Sequence, residues 1–448
     1  MTDRNRWPCL VLAVLSTGSF AQEPQTPGAT PLVQLRQEAR QGDVEAKFLL
    51  AKHYEQGTAG APLNLSEAAT WFASAAAAGH TESQRTLALM HLQGRGVPQS
   101  FDEAQKLFFQ AAQKNDEISQ YYLGRLLLTG SAGEMSVETA IEWFERSAEA
   151  GHQDAQLALG RLYVEGIHTS KDVDRGLVWI RKSANQDHPQ SQYLLATLYE
   201  DGSLITEDPI QAKSYYSRAA DAGLAEAQVW LASWYELQEP PQYPAALRYY
   251  RQAAKQDNAA GHFGVARLNL ERLLYTPNSQ EGLRHLRQAV ALDHPAAHYY
   301  IGRMYGNGSL SGGSTRALEH FQRAANLGHA PAMYELGLAY YQGTPPVKAN
   351  PGLAARWWRK AAQQGHLDAQ YAISLLYLSG AGVEKNTGVS FAIANVAAAQ
   401  GHEQSLQLRD RLMPSLSADV LRDAQDLSVE LFEQFADGAD ESARSRLK

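Results

Sequence analysis

Fourteen histidines and one cysteine, Cys9, are spread over 448 residues, and imidazole is the side chain most often found on a bound transition metal. His294 and His298 stand four apart, a spacing that can set two imidazoles on one helical face. No carboxylate accompanies them in a metalloprotease arrangement, and His294 shares one turn position with His80, His152, His188, His329, His366 and His402. That column reads as structural, so no metal is expected. For covalent chemistry, a lysine one helical turn from a serine can activate the hydroxyl. Ser445 with Lys448 is the one such pair, and it falls in the polar C-terminal segment. G-x-S-x-G, P-loop and HExxH motifs are absent from the sequence. The expectation is a chain without a cofactor that is not an enzyme, although spacing alone does not reveal what distant segments bring together.

Aromatic side chains recur with equal regularity. Trp71, Trp143, Trp179, Tyr215, Tyr249 and Trp357 occupy one column, which resembles a sugar or cofactor platform only if its periodicity is ignored. It is read as inter-helix core. Phe48, Tyr121, Tyr193, Tyr299, Tyr334 and Tyr371 form a second column, two residues before a recurring Leu. At 100° per residue they point about 200° away from the small core residue of their own helix. They either pack on the adjacent repeat or form a recognition stripe. Of all positions they are the best candidates for protein binding, because tyrosine supplies contact area and a hydrogen bond at small entropic cost.

The elements that carry these columns follow from a repeat. A turn of the Gly-His type recurs at Gly42-Asp43, Gly79-His80, Asn115-Asp116, Gly151-His152, Asp187-His188, Gly223-Leu224, Asp257-Asn258, Asp293-His294, Gly328-His329, Gly365-His366 and Gly401-His402, in steps of 34 to 37 residues. Each unit begins with small-x-x-x-Leu-small-x-x-Tyr, as at Ala155, Leu159, Gly160 and Tyr163, and continues with small-x-x-aromatic-aromatic-x-x-small-Ala, as at Ala140, Trp143, Phe144, Ser147 and Ala148. Both patterns put apolar residues on one helical face. A glycine turn such as Gly94-Arg95-Gly96-Val97 reverses the chain between them. A lone hairpin this small buries too little to offset its ordering entropy, so each copy must stack on the next. The fold class expected is all-α, an α/α superhelical solenoid of about ten helix pairs over residues 34–413.

These residues resemble the SEL-one-like repeat (SLR) family, relatives of the tetratricopeptide repeat, most fully at Ala155-Gln156, Leu159-Gly160, Tyr163 and Gly166 with Ala148-Glu149-Ala150-Gly151-His152. The resemblance implies an adaptor that binds one or more proteins, for instance in an envelope complex such as exopolysaccharide export. The family also includes proteins for which action on β-lactams has been claimed, so a cell-wall or β-lactam-interacting enzyme is an alternative, and a secreted factor binding a host protein is another. Two departures stand out: Glu239 to Pro244 (EPPQYP) shortens one turn, and Gly264 is read as replacing a core Leu. Both are read as drift in interior repeats rather than a functional hinge.

Charge and the chain ends complete the expectation. A net charge of -8 with no basic block argues against nucleic acid. Arg4 and Arg6 precede an apolar run that ends at Ser19-Phe20-Ala21, the layout of a signal peptide cleaved near Ala21. That predicts a signal peptide at 1–21, an extended leader at 22–33, and a periplasmic or secreted mature chain with no integral membrane segment. Pro414 breaks the array, and Val420, Ala424, Leu427, Leu431 and Phe435 recur at helical spacing, predicting a capping helix over 414–435 and a flexible tail at 436–448.

Overall fold

The recurring turn has a direct backbone cause. Its first residue ends a helix with positive φ, as at Gly79 (φ 89°) and Gly328 (φ 91°), a region that penalises a Cβ. Where glycine is replaced the substitutes are Asn115, Asp187, Asp257 and Asp293, with φ between 55° and 62°, the residue types that best tolerate that conformation. The second residue caps the next helix. Asp43, Asp116 and Asn258 accept the third amide of that helix with a side-chain oxygen, satisfying one of its orphan donors. The histidines do the same with Nδ1: Ser83 N donates to His80 at 3.1 Å and Ser405 N to His402 at 3.2 Å.

The computed structural model describes residues 32–446 except 132, 134 and 167, and for 436–446 the backbone alone. The expected signal segment at 1–21 and the Ser445 and Lys448 side chains lie outside the described residues. Among these residues there are helices and no strand. The chain divides into two compact units at residue 159, within the helix Gln153–Glu165.

In the first unit Leu32–Gln41 precedes three hairpins, Val44–Gln56 with Leu65–Ala77, Thr81–Gln93 with Phe101–Ala112, and Glu117–Thr129 with Val137–Glu149. Phe72, Phe108 and Phe144 are buried to 1% exposure or less. Each such ring contributes roughly 1.5–3 kcal/mol on leaving water. Between hairpins, Arg85 Nη1 reaches Asp116 Oδ2 at 2.6 Å, and Lys114 Nζ donates to the Gly79 carbonyl at 2.5 Å.

The second unit continues from Val173–Asn185 with six hairpins that begin at Pro189–Asp201 and end at Thr387–Ala399. It closes with Glu403–Leu412, a short 3-10 turn at Met413–Ser415, and Ala418–Arg446. Ser417 Oγ accepts the Val420 amide at 3.4 Å. Ala424 and Phe435 are buried against the last hairpins, with Leu427 and Leu431 beside them, while Val420 is 41% exposed. The expected capping helix therefore exists with its apolar stripe inward, and its backbone stays helical to Arg446.

Two readings shift in detail. The centre of each hairpin is the second residue of the aromatic pair: Phe72, Phe144, Ile180, Tyr216, Tyr250 and Trp358 are all at most 5% exposed. In the Trp71 column, Trp143 and Tyr249 are buried, but Trp71, Trp179, Tyr215 and Trp357 are half-buried. A cation one turn later covers several of them, with Lys182 Nζ 4.0 Å from the Trp179 ring centroid and Lys360 Nζ 4.8 Å from that of Trp357. Gly264 does not replace the core Leu either. Counting from the Asn258 cap, Val265 fills that position and is fully buried. Gly264 lies under Tyr250, where a Cβ would come within 2.4 Å of the ring.

Candidate protein-binding column

The six residues of the second aromatic column sit one helical turn and a half into the first helix of their hairpins, and most meet the capping histidine of the next repeat. Ring centroids are 4.5 Å apart for Phe48 and His80, 4.9 Å for Tyr121 and His152, 4.8 Å for Tyr299 and His329, 4.9 Å for Tyr334 and His366, and 5.5 Å for Tyr371 and His402. The reason is local. A histidine whose Nδ1 accepts the amide three residues on must lay its ring along the helix mouth, where a face is left for the neighbouring aromatic. Tyr193 has Leu224 in place of that histidine and packs edge-on to Tyr216 at 5.4 Å instead.

Contact with the adjacent repeat leaves unequal exposure. Phe48 is core, at 5%; Tyr121, Tyr193, Tyr299, Tyr334 and Tyr371 are half-buried. Burial pushes the Tyr121 phenol up to about 12, against the lowering effect of Arg125, and raises those of Tyr193, Tyr299 and Tyr334. These hydroxyls therefore stay protonated through the neutral range and are hydrogen-bonding groups, not nucleophiles.

Sequence reasoning missed two parts of the arrangement. Phe263 stands at the same offset from its cap and stacks on His294 at 4.9 Å; reading the column from the cap rather than from the Leu would have included it. A cation four residues on also lies over the ring: Lys52 over Phe48 at 5.1 Å, Arg125 over Tyr121 at 5.6 Å and Arg303 over Tyr299 at 5.9 Å. Between these, Arg85, Leu157 and Val229 interrupt the aromatic run.

His294 and His298, paired by spacing, do different work. His294 caps its helix through the Ala297 amide at 3.3 Å, and burial pulls its pKa down to about 4. His298 turns to the second helix of its own hairpin. Among the described residues, no group of three or more His, Cys, Asp or Glu is placed to hold a metal ion, and no helix is long and apolar enough to cross a membrane.

Comparison with known proteins agrees with this architecture. The Sel1 repeat model matches ten consecutive segments, 44–80, 81–116, 118–152, 153–188, 189–224, 225–258, 259–294, 295–329, 330–366 and 367–402. Among solved structures, the chain is similar to a protective antigen present in uropathogenic Escherichia coli strains that displays an SLR fold, at 27% identity and a TM-score of 0.68, over 92% of this chain and 89% of that one. A Sel1 repeat protein from Oxalobacter formigenes is also 27% identical, with a TM-score of 0.45, over 50% of this chain and 99% of that one. No curated protein matches. Ten adjoining matches, each one helix pair that starts at a capped turn and is completed by the next, make this chain an all-α solenoid that belongs to the Sel1 repeat family.

Proposed function

We propose that this protein is a non-enzymatic scaffold, periplasmic or secreted, that uses the column of half-buried tyrosines to hold a segment of a protein partner, for instance within an envelope complex. Sel1 repeat proteins typically mediate protein–protein interactions. The observation that carries the reading is the pairing of a half-buried tyrosine with a cation on the next turn, Tyr121 with Arg125 in the first unit and Tyr299 with Arg303 in the second. Tyrosine and arginine are the side chains most enriched where partners bind tightly, and here each ring is already immobilised by a histidine, so binding costs little further entropy.

The test is affinity capture from cell envelopes with the full chain beside a Tyr299→Ala, Tyr334→Ala, Tyr371→Ala variant. A partner retained by the first and lost by the second, with circular dichroism unchanged, supports the reading. Equal recovery by both overturns the role of the column. Serine-dependent labelling by a fluorescent penicillin would favour the enzyme alternative. The likeness to a protective antigen favours a second reading, a secreted factor that engages a host protein, and fractionation of cells and medium separates it from a periplasmic adaptor.

A further inference from the structure

Two consecutive hairpins of the second unit depart from their neighbours at two positions at once. Elsewhere the fourth residue after the cap is commonly Gln, and its Nε2 donates to a carbonyl at the end of the preceding helix: Gln192 to Ala184 at 3.2 Å, Gln228 to Ala220 at 3.2 Å, Gln370 to Ala362 at 3.3 Å. In the hairpins Ala259–Leu270 with Ser279–Ala291 and Pro295–Gly306 with Gly313–Asn326, that residue is His262 and His298. In the same two hairpins the first residue of the aromatic pair, Trp or Tyr in most others, is His285 and His320. The substitutions meet. Nδ1 of His262 lies 2.8 Å from Nδ1 of His285, and Nδ1 of His298 lies 3.0 Å from Nδ1 of His320.

We infer that each of these two histidine pairs is a binding site for one divalent transition-metal ion of the kind that favours imidazole, Cu2+ or Zn2+, with water completing its coordination. Three observations converge on this. The first is distance. With metal–imidazole bonds of about 2.0–2.1 Å, nitrogens 2.8–3.0 Å apart subtend roughly 84–97° at the ion, close to the right angle of a tetragonal site, and an opening of about 0.3–0.6 Å brings them to the tetrahedral angle of zinc. The second is the far side of the inner ring. Nε2 of His298 faces Asp293 Oδ1 at 3.3 Å, and that carboxylate is itself gripped by Arg323 through Nε at 2.9 Å and Nη2 at 2.6 Å. In the first pair the corresponding carboxylate stands farther off, Asp257 Oδ1 lying 3.9 Å from His262 Nε2, beyond hydrogen-bond distance. At His298 the carboxylate on Nε2 keeps the proton there, so the Nδ1 lone pair points at the His320 ring, as metal-binding histidines are commonly oriented.

The third is access and protonation. His262 and His298 are buried, at 6% and 7%, whereas His285 and His320 are half-buried, so each pair opens to solvent on one side only. Burial lowers the pKa of all four rings. They are neutral near pH 7, as ligands must be. The charges acting on these rings are Arg284, Arg251 and Glu281 at His285, Arg316 and Glu319 at His320, Arg284 and Asp257 at His262, and Arg323 and Asp293 at His298.

The chain supplies its own controls, because Gln with Trp is what two other repeats carry at these positions, Gln120 with Trp143 and Gln156 with Trp179. Cu2+ titrated into chelator-treated full chain is read by stoichiometry and electron paramagnetic resonance. The wild type is expected to bind two more equivalents than the His262→Gln, His285→Trp, His298→Gln, His320→Trp variant, with two equatorial nitrogens in the spectrum of the increment, and each two-residue variant is expected to lose one equivalent. Zn2+ competition assigns the ion: displacement at equimolar Zn2+ selects zinc, retention selects copper, and both leave the sites in place. Equal stoichiometry and equal spectra in the wild type and the folded four-residue variant overturn the proposal. Should that variant fail to fold, the single changes His285→Trp and His320→Trp, at the half-buried rim, give the same reading, each removing one equivalent or overturning its site.

Discussion

Set the hairpin Pro189–Asp201 with Pro209–Asp221 beside Pro295–Gly306 with Gly313–Asn326. Inside they are alike: Ala196 and Tyr216 form the centre of one, Gly302 and Phe321 that of the other. At the rim they part company. Gln192 closes the end of the preceding helix and Tyr215 stacks on Tyr199 at 6.0 Å, whereas His298, still bonded to the backbone of Val290, and His320, still stacked on Tyr305 at 5.6 Å, also face each other. The centre is shaped by volume, since a large ring needs a small residue opposite, and close packing tolerates little change there. The rim is shaped by hydrogen bonds, which can be exchanged for others without repacking. It is the rim that distinguishes one Sel1 repeat of this chain from another.

If centre and rim are separable in this way, Tyr216→Ala and Phe321→Ala should each cost about 3–5 kcal/mol, despite their different rims. Chemical denaturation measures both. A cost below about 1 kcal/mol for either would break the comparison at its root.

Next in size is the effect of pH. Burial holds the folded pKa of His294 at about 4, below the ordinary imidazole value of 6.5, so the unfolded chain binds the extra proton first. Stability is then complete above about pH 6.5 and declines as pH falls toward 4, by about 2–3 kcal/mol from this group. His294→Asn copies the cap at Asn258 and should flatten that slope with chelator present; an unaltered slope would remove His294 as its origin.

A smaller change probes the fit of small residue to ring. A Cβ on Gly337 would stand 2.3 Å from the Trp358 ring, so Gly337→Ala should cost about 1–3 kcal/mol through overpacking, and Gly337→Ala with Trp358→Leu should recover part of it. Failure of the second change to help would mean that the backbone, not the ring, sets the spacing.

Much of this was readable from the residues, and the boundary of what was not is physical. Gly, Asn or Asp before a capping residue marks the start of the first helix of every hairpin because left-handed φ and N-capping are local demands. The hairpin register follows from that count, which places Val265 rather than Gly264 in the core. The histidine pairs escaped because their members are 23 and 22 residues apart and meet across a hairpin turn, while the four-residue spacing of His294 and His298 drew attention to rings that do not pair. In the tyrosine column, angle on the helix gave direction but not cover. Phe48 against His80 and Phe72 is buried, whereas Tyr299, against His329 and Phe321 at the same offset, is half-buried.

The smallest expected effect concerns the rim hydrogen bond itself. Gln228 Nε2 donates to the Ala220 carbonyl at 3.2 Å, and its Oε1 accepts from Gln256 at 3.1 Å, so it ties three successive helices together. Gln228→Ala should cost about 0.5–1.5 kcal/mol, the net worth of the lost hydrogen bond, because the Ala220 carbonyl still accepts the Gly223 amide. Gln228→His, the residue found one repeat later, should cost no less unless Tyr249 is also changed to His. Only the paired change rebuilds the arrangement seen at His262 and His285, so a non-additive double-mutant cycle by thermal melting would show that the two rim positions act as a unit, and simple additivity would show that each is independent.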